Sequence, residues 1–267
     1  MIDARGVKKS FGKRTILRGI DLKVETGETM VIIGGSGCGK STFLKCVIGL
    51  HAPDSGTISV DGTDITTLKT ESELAQYRRR FGYLFQEGAL FDSLTVQENI
   101  CFGLKYLTDI PPEKYRQIAT DSLALVGLAD VEDFKPSELS GGMKKRVALA
   151  RAIAAQPQYI LYDEPTTGLD PIMSDVINDL ILDLQKKLKV TAIVVTHDMK
   201  SAYKVGSRIA MFHEGRVLQV GTPDEIRNTK DEHVKQFVEG LSQGPIKMKL
   251  KEFEADEAHD GARRGKA

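Results

Sequence analysis

Between a short β-type run, Thr29 to Ile33, and an apolar-periodic segment, Ser41 to Leu50, the chain reads Gly34-Gly35-Ser36-Gly37-Cys38-Gly39-Lys40-Ser41. This matches G-x-x-x-x-G-K-S in the strand-to-helix setting that the pattern requires. Glycines open backbone conformations closed to other residues, so successive N–H groups can face a polyphosphate, and the following helix adds the positive end of its dipole. Lys40 would then reach the β- and γ-phosphates, and the Ser41 hydroxyl would meet Mg²⁺. Cys38 reads as a tolerated small side chain in the loop, not as a redox group.

At 267 residues the chain can bury a sizeable core as one large domain or two small ones. No stretch approaches the roughly 18 uninterrupted apolar residues that span a bilayer, so the chain is not expected to cross a membrane alone. Lys plus Arg (37) equals Asp plus Glu (37), which removes the global positive field behind indiscriminate nucleic-acid binding. Cys38, Cys46 and Cys101 are too few and too scattered for a disulfide framework or zinc cluster and read as free thiols. Met1 to Gly6 has no apolar signal region, so the expected compartment is the cytoplasm.

Strand-like runs at Asp21 to Val24, Thr57 to Val60, Phe81 to Phe85, Tyr159 to Tyr162 and Thr191 to Val195 join Thr29 to Ile33, with a long helical pattern over Met173 to Leu188. The alternation predicts a mostly parallel sheet covered by helices. From about Glu87 to Gln156 apolar residues recur only at helical spacing, which marks a helical insertion. The run Arg78-Arg79-Arg80 reads as a solvated face. Past Gly240 the composition turns polar and charge-mixed, and a loose terminal tail over 241–267 is expected.

Two further segments carry chemistry. Tyr159 to Tyr162 runs into Asp163-Glu164-Pro165, and acids at the carboxyl end of a strand lie beside a phosphate loop in an open α/β sheet. Successive side chains of an extended segment point oppositely, so Asp163 could orient Mg²⁺ while Glu164 faces an attacking water as general base. Leu139-Ser140-Gly141-Gly142-Met143 opens the helical segment Lys144 to Ala155. Ser140 can cap that helix, and the small residues with the helix dipole make an anion site. A chain with one nucleotide loop needs a reason for a second such site.

Taken in order from about Ile2 to Gly240, these segments resemble the nucleotide-binding subunit of ABC (ATP-binding cassette) transporters. The resemblance implies an α/β fold: a P-loop NTPase core with a parallel sheet, an antiparallel β subdomain and a helical subdomain over about 87–156. It assigns ATP to the loop from Gly34 through Gly35, Ser36, Gly37, Cys38, Gly39, Lys40 and Ser41 to Thr42, and stacks adenine on Phe11. It reads Gln86 as the Q-loop glutamine and places Ser41, Gln86 and Asp163 around Mg²⁺. Glu164 becomes the catalytic base, His197 the switch histidine at the γ-phosphate, and Asp170 part of the D-loop. In that family Ser140, Gly141 and Gly142 serve the nucleotide of the other protomer, which explains the second anion site through a homodimer.

The family signature usually continues with glutamine where this chain has Met143, and a thioether donates no hydrogen bond. This methionine, the stretch Gly88-Ala89-Leu90-Phe91, and the ending Phe237-Val238-Glu239-Gly240 with Gly244-Pro245 are similar to the ATPases of MCE-type lipid transport systems. The implied partners are integral permease subunits and an MCE-domain protein, at the cytoplasmic face of the inner membrane, with no direct nucleic-acid contact. The rival readings are an amino-acid or small-solute importer and a non-transport ABC ATPase acting on nucleic acid or ribosomes. Balanced charge and a single cassette weigh against the latter.

Overall fold

Thr29–Ile33 is buried along its whole length, and a strand with both faces covered needs neighbours on either side and packing above and below. The structure, a computed structural model, describes residues 1–247 and supplies both. In chain order the elements are β1 (Ile2–Phe11), β2 (Arg14–Val24), β3 (Thr29–Ile33), α1 (Lys40–Val47), β4 (Ser55–Val60), β5 (Thr63–Asp64), α2 (Glu71–Arg78) and β6 (Phe81–Leu84). Then come α3 (Val96–Leu107), α4 (Tyr115–Leu125), α5 (Gly141–Ile153), β7 (Tyr159–Asp163), α6 (Pro171–Leu188), β8 (Thr191–Val195) and α7 (Met199–Val205). The series closes with β9 (Arg208–His213), β10 (Arg216–Gly221), α8 (Pro223–Arg227) and α9 (Glu232–Glu239).

The main sheet has the order β10-β9-β3-β8-β7-β6, parallel throughout except for the β9–β10 hairpin. Its strands divide their side chains between two cores. Val31, Ile33, Ile160, Tyr162, Val194 and Met211 face α3, α4, α5 and α6, while Met30, Ile32, Leu161, Ile193 and Phe212 face α1 and a second sheet. That second sheet is antiparallel, in the order β2-β1-β4-β5. The architecture is the expected α/β core with a parallel sheet, an antiparallel sheet and added helices.

The helices between β6 and β7 are set by local chemistry. Thr95 and Glu98 form a capping box at α3, with N–H to side-chain distances of 3.2 and 2.7 Å. The fully buried Asn99 amide accepts the Phe91 N–H at 2.7 Å and donates to the Phe91, Leu94 and Thr95 carbonyls, pinning the entry segment to α3. Ser140 caps α5 and Asp170 caps α6.

Several elements differ from the sequence reading. β2 starts at Arg14 instead of Asp21, and α6 starts at Pro171, where the Asp170 cap and a proline in the first turn set its beginning. β1 escapes the alternation test because its register shifts between Ala4 and Val7, with Gly6 at φ +56°, so the buried positions run 2, 4, 7. β9 is a short apolar run in the sheet interior, a pattern that periodicity cannot separate from a buried helix segment. Of the run Arg78–Arg80, expected as a solvated face, only Arg79 is exposed. Arg78 donates to the Ile48 and Gly49 carbonyls beyond the end of α1, and Arg80 donates to the Val60 carbonyl while lying over the Tyr77 ring. The composition shift at Gly240 is bridged by Gln236, whose side chain donates to the Leu241 and Ile246 carbonyls and accepts the Ile246 N–H at 2.7 Å. The remainder of the expected tail, 248–267, lies outside the described residues.

Two glycines separate packing from propensity. A β-carbon on Gly82 in β6 would sit 2.2 Å from the Ala152 carbonyl oxygen, whereas one on Gly103 in α3 meets nothing nearer than 3.9 Å. Gly82→Ala is expected to lower unfolding stability by about 1–3 kcal/mol through overpacking, and Gly103→Ala to raise it by about 0.5–1 kcal/mol through helix propensity. Urea denaturation of the two variants beside the parent chain measures both.

Candidate active site

Parallel strands bring their carboxyl ends to one edge, and the register here keeps those ends level. Ile32 pairs with Val195, Asp163 with Val195, and Leu84 with Tyr162. The loop after β3 turns where a side chain would not fit: a β-carbon on Gly34 would lie 2.2 Å from the Phe212 carbonyl oxygen. Gly37 and Gly39 take φ +75° and +108°, the left-handed region open to glycine. Lys40 begins α1, is buried, and donates from Nζ to the Gly34 carbonyl at 2.7 Å and the Gly35 carbonyl at 3.2 Å. Gly35, Ser36 and Gly37 are exposed, and Cys38 is buried beneath the loop, where burial pushes its thiol up. Gly37, Gly39, Lys40, Ser41 and Thr42 line a cavity of about 210 Å³ together with Arg14 and Ile16.

Asp163 and Glu164 point apart, but not through the alternation of an extended segment. Glu164 is not extended; it sits at φ +52°, with its N–H donating to the Val195 carbonyl at 2.9 Å. The turn therefore begins on Glu164 itself, and that sends the two carboxylates apart. Asp163 accepts the Ser41 hydroxyl at 2.7 Å and the Tyr83 hydroxyl at 3.0 Å. Burial, then the Asp163 charge, push the Tyr83 phenol far above its ordinary range, so it remains a neutral donor. Glu164 meets His197, which is itself exposed, with Oε2 2.8 Å from Nδ1, and it accepts the Thr167 hydroxyl at 3.0 Å.

Gln86, just past β6, is exposed and lines a cavity of about 540 Å³ with Ser41, Asp163 and Lys144. Its backbone carbonyl accepts Lys145 Nζ, which also reaches the Glu164 carbonyl at 3.5 Å. Arg151, further along α5, donates to the Gly88 and Ala89 carbonyls at 2.6 and 2.7 Å. Burial pulls the Lys145 ammonium below its ordinary range, against the neighbouring Glu164, Asp163 and Glu87 charges. Sequence reasoning missed Lys145, Tyr83 and Thr167. For Lys145 a signal existed: it falls on the buried stripe of α5 with Ala148, Leu149 and Ala152, and a lysine seldom occupies such a position without a partner.

Ser140, Gly141 and Gly142 line neither of the two cavities at the loop. Ser140 accepts the Met143 N–H at 3.3 Å as the α5 cap, and a β-carbon on Gly142 would meet Met173 Cε at 2.6 Å, so the starts of α5 and α6 pack together. Asp170 caps α6 through one carboxylate oxygen, at 2.9 and 3.0 Å from the Ile172 and Met173 N–H groups. Phe11 is exposed at the end of β1, set edge-on to His51 with centroids 5.1 Å apart, and Lys9 Nζ lies 5.5 Å from its centroid. The edge thus gathers a backbone anion cradle, a cation and a carboxylate–imidazole pair. That set suits transfer of a phosphoryl group to water.

A family profile described as ABC transporter matches residues 17–167. The probable ribonucleotide transport ATP-binding protein mkl of Mycobacterium tuberculosis is 41% identical over 98% of this chain and 72% of its own length. The intermembrane phospholipid transport system ATP-binding protein MlaF of Haemophilus influenzae is 39% identical over 93% of this chain and 94% of its own. The glutamine transport ATP-binding protein GlnQ of Escherichia coli is also 39% identical, over 91% of this chain and all of its own length. Among solved structures, the ATP-binding cassette MJ0796, a dimer in a post-hydrolysis state bound to ADP and Pi, superposes with a TM-score of 0.76 at 33% identity, covering 84% of this chain and 99% of that one. This chain therefore belongs to the ABC transporter family, as an ATP-binding cassette that hydrolyses ATP in a reaction coupled to transport.

Proposed function

We propose that this cassette energises phospholipid or other lipid transport, as a homodimer working with integral permease subunits and an MCE-domain protein at the cytoplasmic face of the inner membrane. Met143 carries the lipid reading, because it replaces the usual signature glutamine as it does in MCE-type systems, and the MlaF relative is named for phospholipid transport. GlnQ, named for glutamine transport at the same identity, supports the second reading, an amino-acid importer. Among the described residues no helix is long and apolar enough to cross a membrane, in keeping with attachment through partners. The exposed Ser140 and Gly141, away from the chain's own loop cavities, favour service to a nucleotide on a second protomer.

In this reading the Gly34–Thr42 loop holds the phosphates through its N–H groups, the α1 dipole and Lys40, and Phe11 offers its ring to adenine. The oxygens of Ser41, Asp163 and Gln86 share one cavity, and a hydroxyl, a carboxylate and an amide form the hard donor set that Mg²⁺ takes alongside nucleotide phosphates. When bound, Mg²⁺ would neutralise charge on the β- and γ-phosphates. Glu164, fixed by His197 and Thr167, accepts a proton from water as the water oxygen bonds to the γ-phosphorus and the bridging P–O bond to the β-phosphate breaks, leaving ADP and phosphate. With Nδ1 of His197 on Glu164, its Nε2 remains to meet the γ-phosphate. Asp170, as the α6 cap, sets the loop that leads from Glu164 back to the helix.

Glu164→Gln keeps the shape of the side chain and removes the base. Phosphate release is expected to fall by roughly 10²–10⁴-fold, with ATP affinity within a few-fold of the parent and an ATP-bound dimer still seen on gel filtration. Near-normal turnover would take Glu164 out of the role. For the cargo, affinity purification from detergent-solubilised membranes followed by mass spectrometry should recover a permease with an MCE-domain protein. Recovery of an amino-acid permease instead would move the function to import.

A further inference from the structure

Beside the phosphate loop lies a second concavity that none of the motifs explains. It has a volume of about 790 Å³ and lies between β2 and the turn joining β9 to β10, which are tied by the Arg18 N–H donating to the Gly215 carbonyl at 2.8 Å. Lys8, Lys13, Arg14, Arg18 and Arg216 line it, against one acid, Glu214. Among the described residues none of these five cations lies within ion-pair distance of a carboxylate. In a chain whose total charge is zero, five uncompensated cations around one hollow are a local concentration of field, which a concave surface focuses further.

Arg14 joins this hollow to the loop. It also lines the smaller cavity with Gly37, Gly39, Lys40 and Ser41, and its Nη2 lies 3.5 Å from the point a β-carbon on Gly37 would occupy. A guanidinium offers paired donors that match phosphate oxygens, whereas the neighbouring Lys40 offers a single ammonium. An anion in the hollow would be continuous with one resting on the loop, and a nucleotide polyphosphate meets that condition.

We propose that this hollow is an anion subsite of the nucleotide site, in which Arg14 is a second phosphate-binding cation beside Lys40, and Lys8, Lys13, Arg18 and Arg216 draw the polyphosphate in. The assignment rests on the reading of Gly34–Ser41 as the nucleotide loop. All five side chains are exposed on strands or turns, so their removal leaves both cores intact.

The test is calorimetric titration of ATP and ADP into the full chain, with stopped-flow association at several salt concentrations. Arg14→Ala is expected to raise the Kd for both nucleotides by about tenfold, and Arg14→Lys to recover part of the loss. The double variant Arg18→Ala/Arg216→Ala should slow ATP association several-fold and flatten its salt dependence, with a smaller change in Kd. If Arg14→Ala binds ATP within twofold of the parent while Lys40→Ala loses binding, the proposal is overturned and the loop reading stands. If Lys40→Ala also binds normally, the loop reading itself fails. Unchanged association in the double variant overturns the steering role of Arg18 and Arg216.

Discussion

At Gly34 the chain leaves β3 with φ +146°, and the missing side chain is what lets it pass within contact of the Phe212 backbone in the adjacent β9. A β-carbon there would overlap the carbonyl oxygen, so any other residue would lift the loop away from the sheet. With that clearance, the loop folds over the strand ends and Lys40 starts α1 directly against it. The parallel register then sets the other positions of the candidate site. β8 leads to His197, β7 to Asp163 and Glu164, and β6 to Gln86, each at or just past the end of its strand on the same edge. The antiparallel sheet matters differently, by covering the second core and lending Arg14 and Ile16 to the wall of the loop cavity.

Four ionisable side chains are buried at this edge, Lys40, Lys145, Asp163 and Glu164, and a buried charge is tolerated only when its hydrogen-bonding capacity is met. None of the four relies on a simple ion pair with another. Each cation is held by two backbone carbonyls, and each carboxylate by two side-chain partners. Dipoles fixed by the strands and turns do the solvating that water would otherwise do. Such a site is ordered before a substrate arrives, the condition under which electrostatic groups act most strongly on a reacting phosphate.

What could be read from the sequence, and what could not, follows from where the constraint lies. The phosphate loop, the acid pair after β7 and the histidine after β8 are legible because each demands particular residue types at a strand end. β3, β7 and β8 are legible because two covered faces leave a continuous apolar run, and the second half of β2 because exposed and buried residues alternate along it. β1 is hidden by a register shift that breaks its alternation, and β9 by being too short and too apolar to tell from a helix turn. Lys145, Tyr83 and Arg78 belong to another class. Their partners are main-chain carbonyls or a carboxylate brought near only by the fold, at separations of 29 to 80 residues for Tyr83 and Arg78. No local pattern encodes such a partner. A cation at a buried helical position is the one trace it leaves.

The two cations of α5 have a mechanical meaning. Lys145 grips the carbonyl of Gln86, and Arg151 grips those of Gly88 and Ala89, so the chain leaving β6 is clasped to α5 at two points about 1.7 helical turns apart. Beyond it, Asn99 locks residues 91–95 to α3. Little slack is left between the glutamine at the sheet edge and the serine that opens α5. Gln86 and Ser140 are therefore joined twice, by the intervening chain and by the α5 clasp: drawing the first away from the start of the helix would break the Lys145 bond to the Gln86 carbonyl.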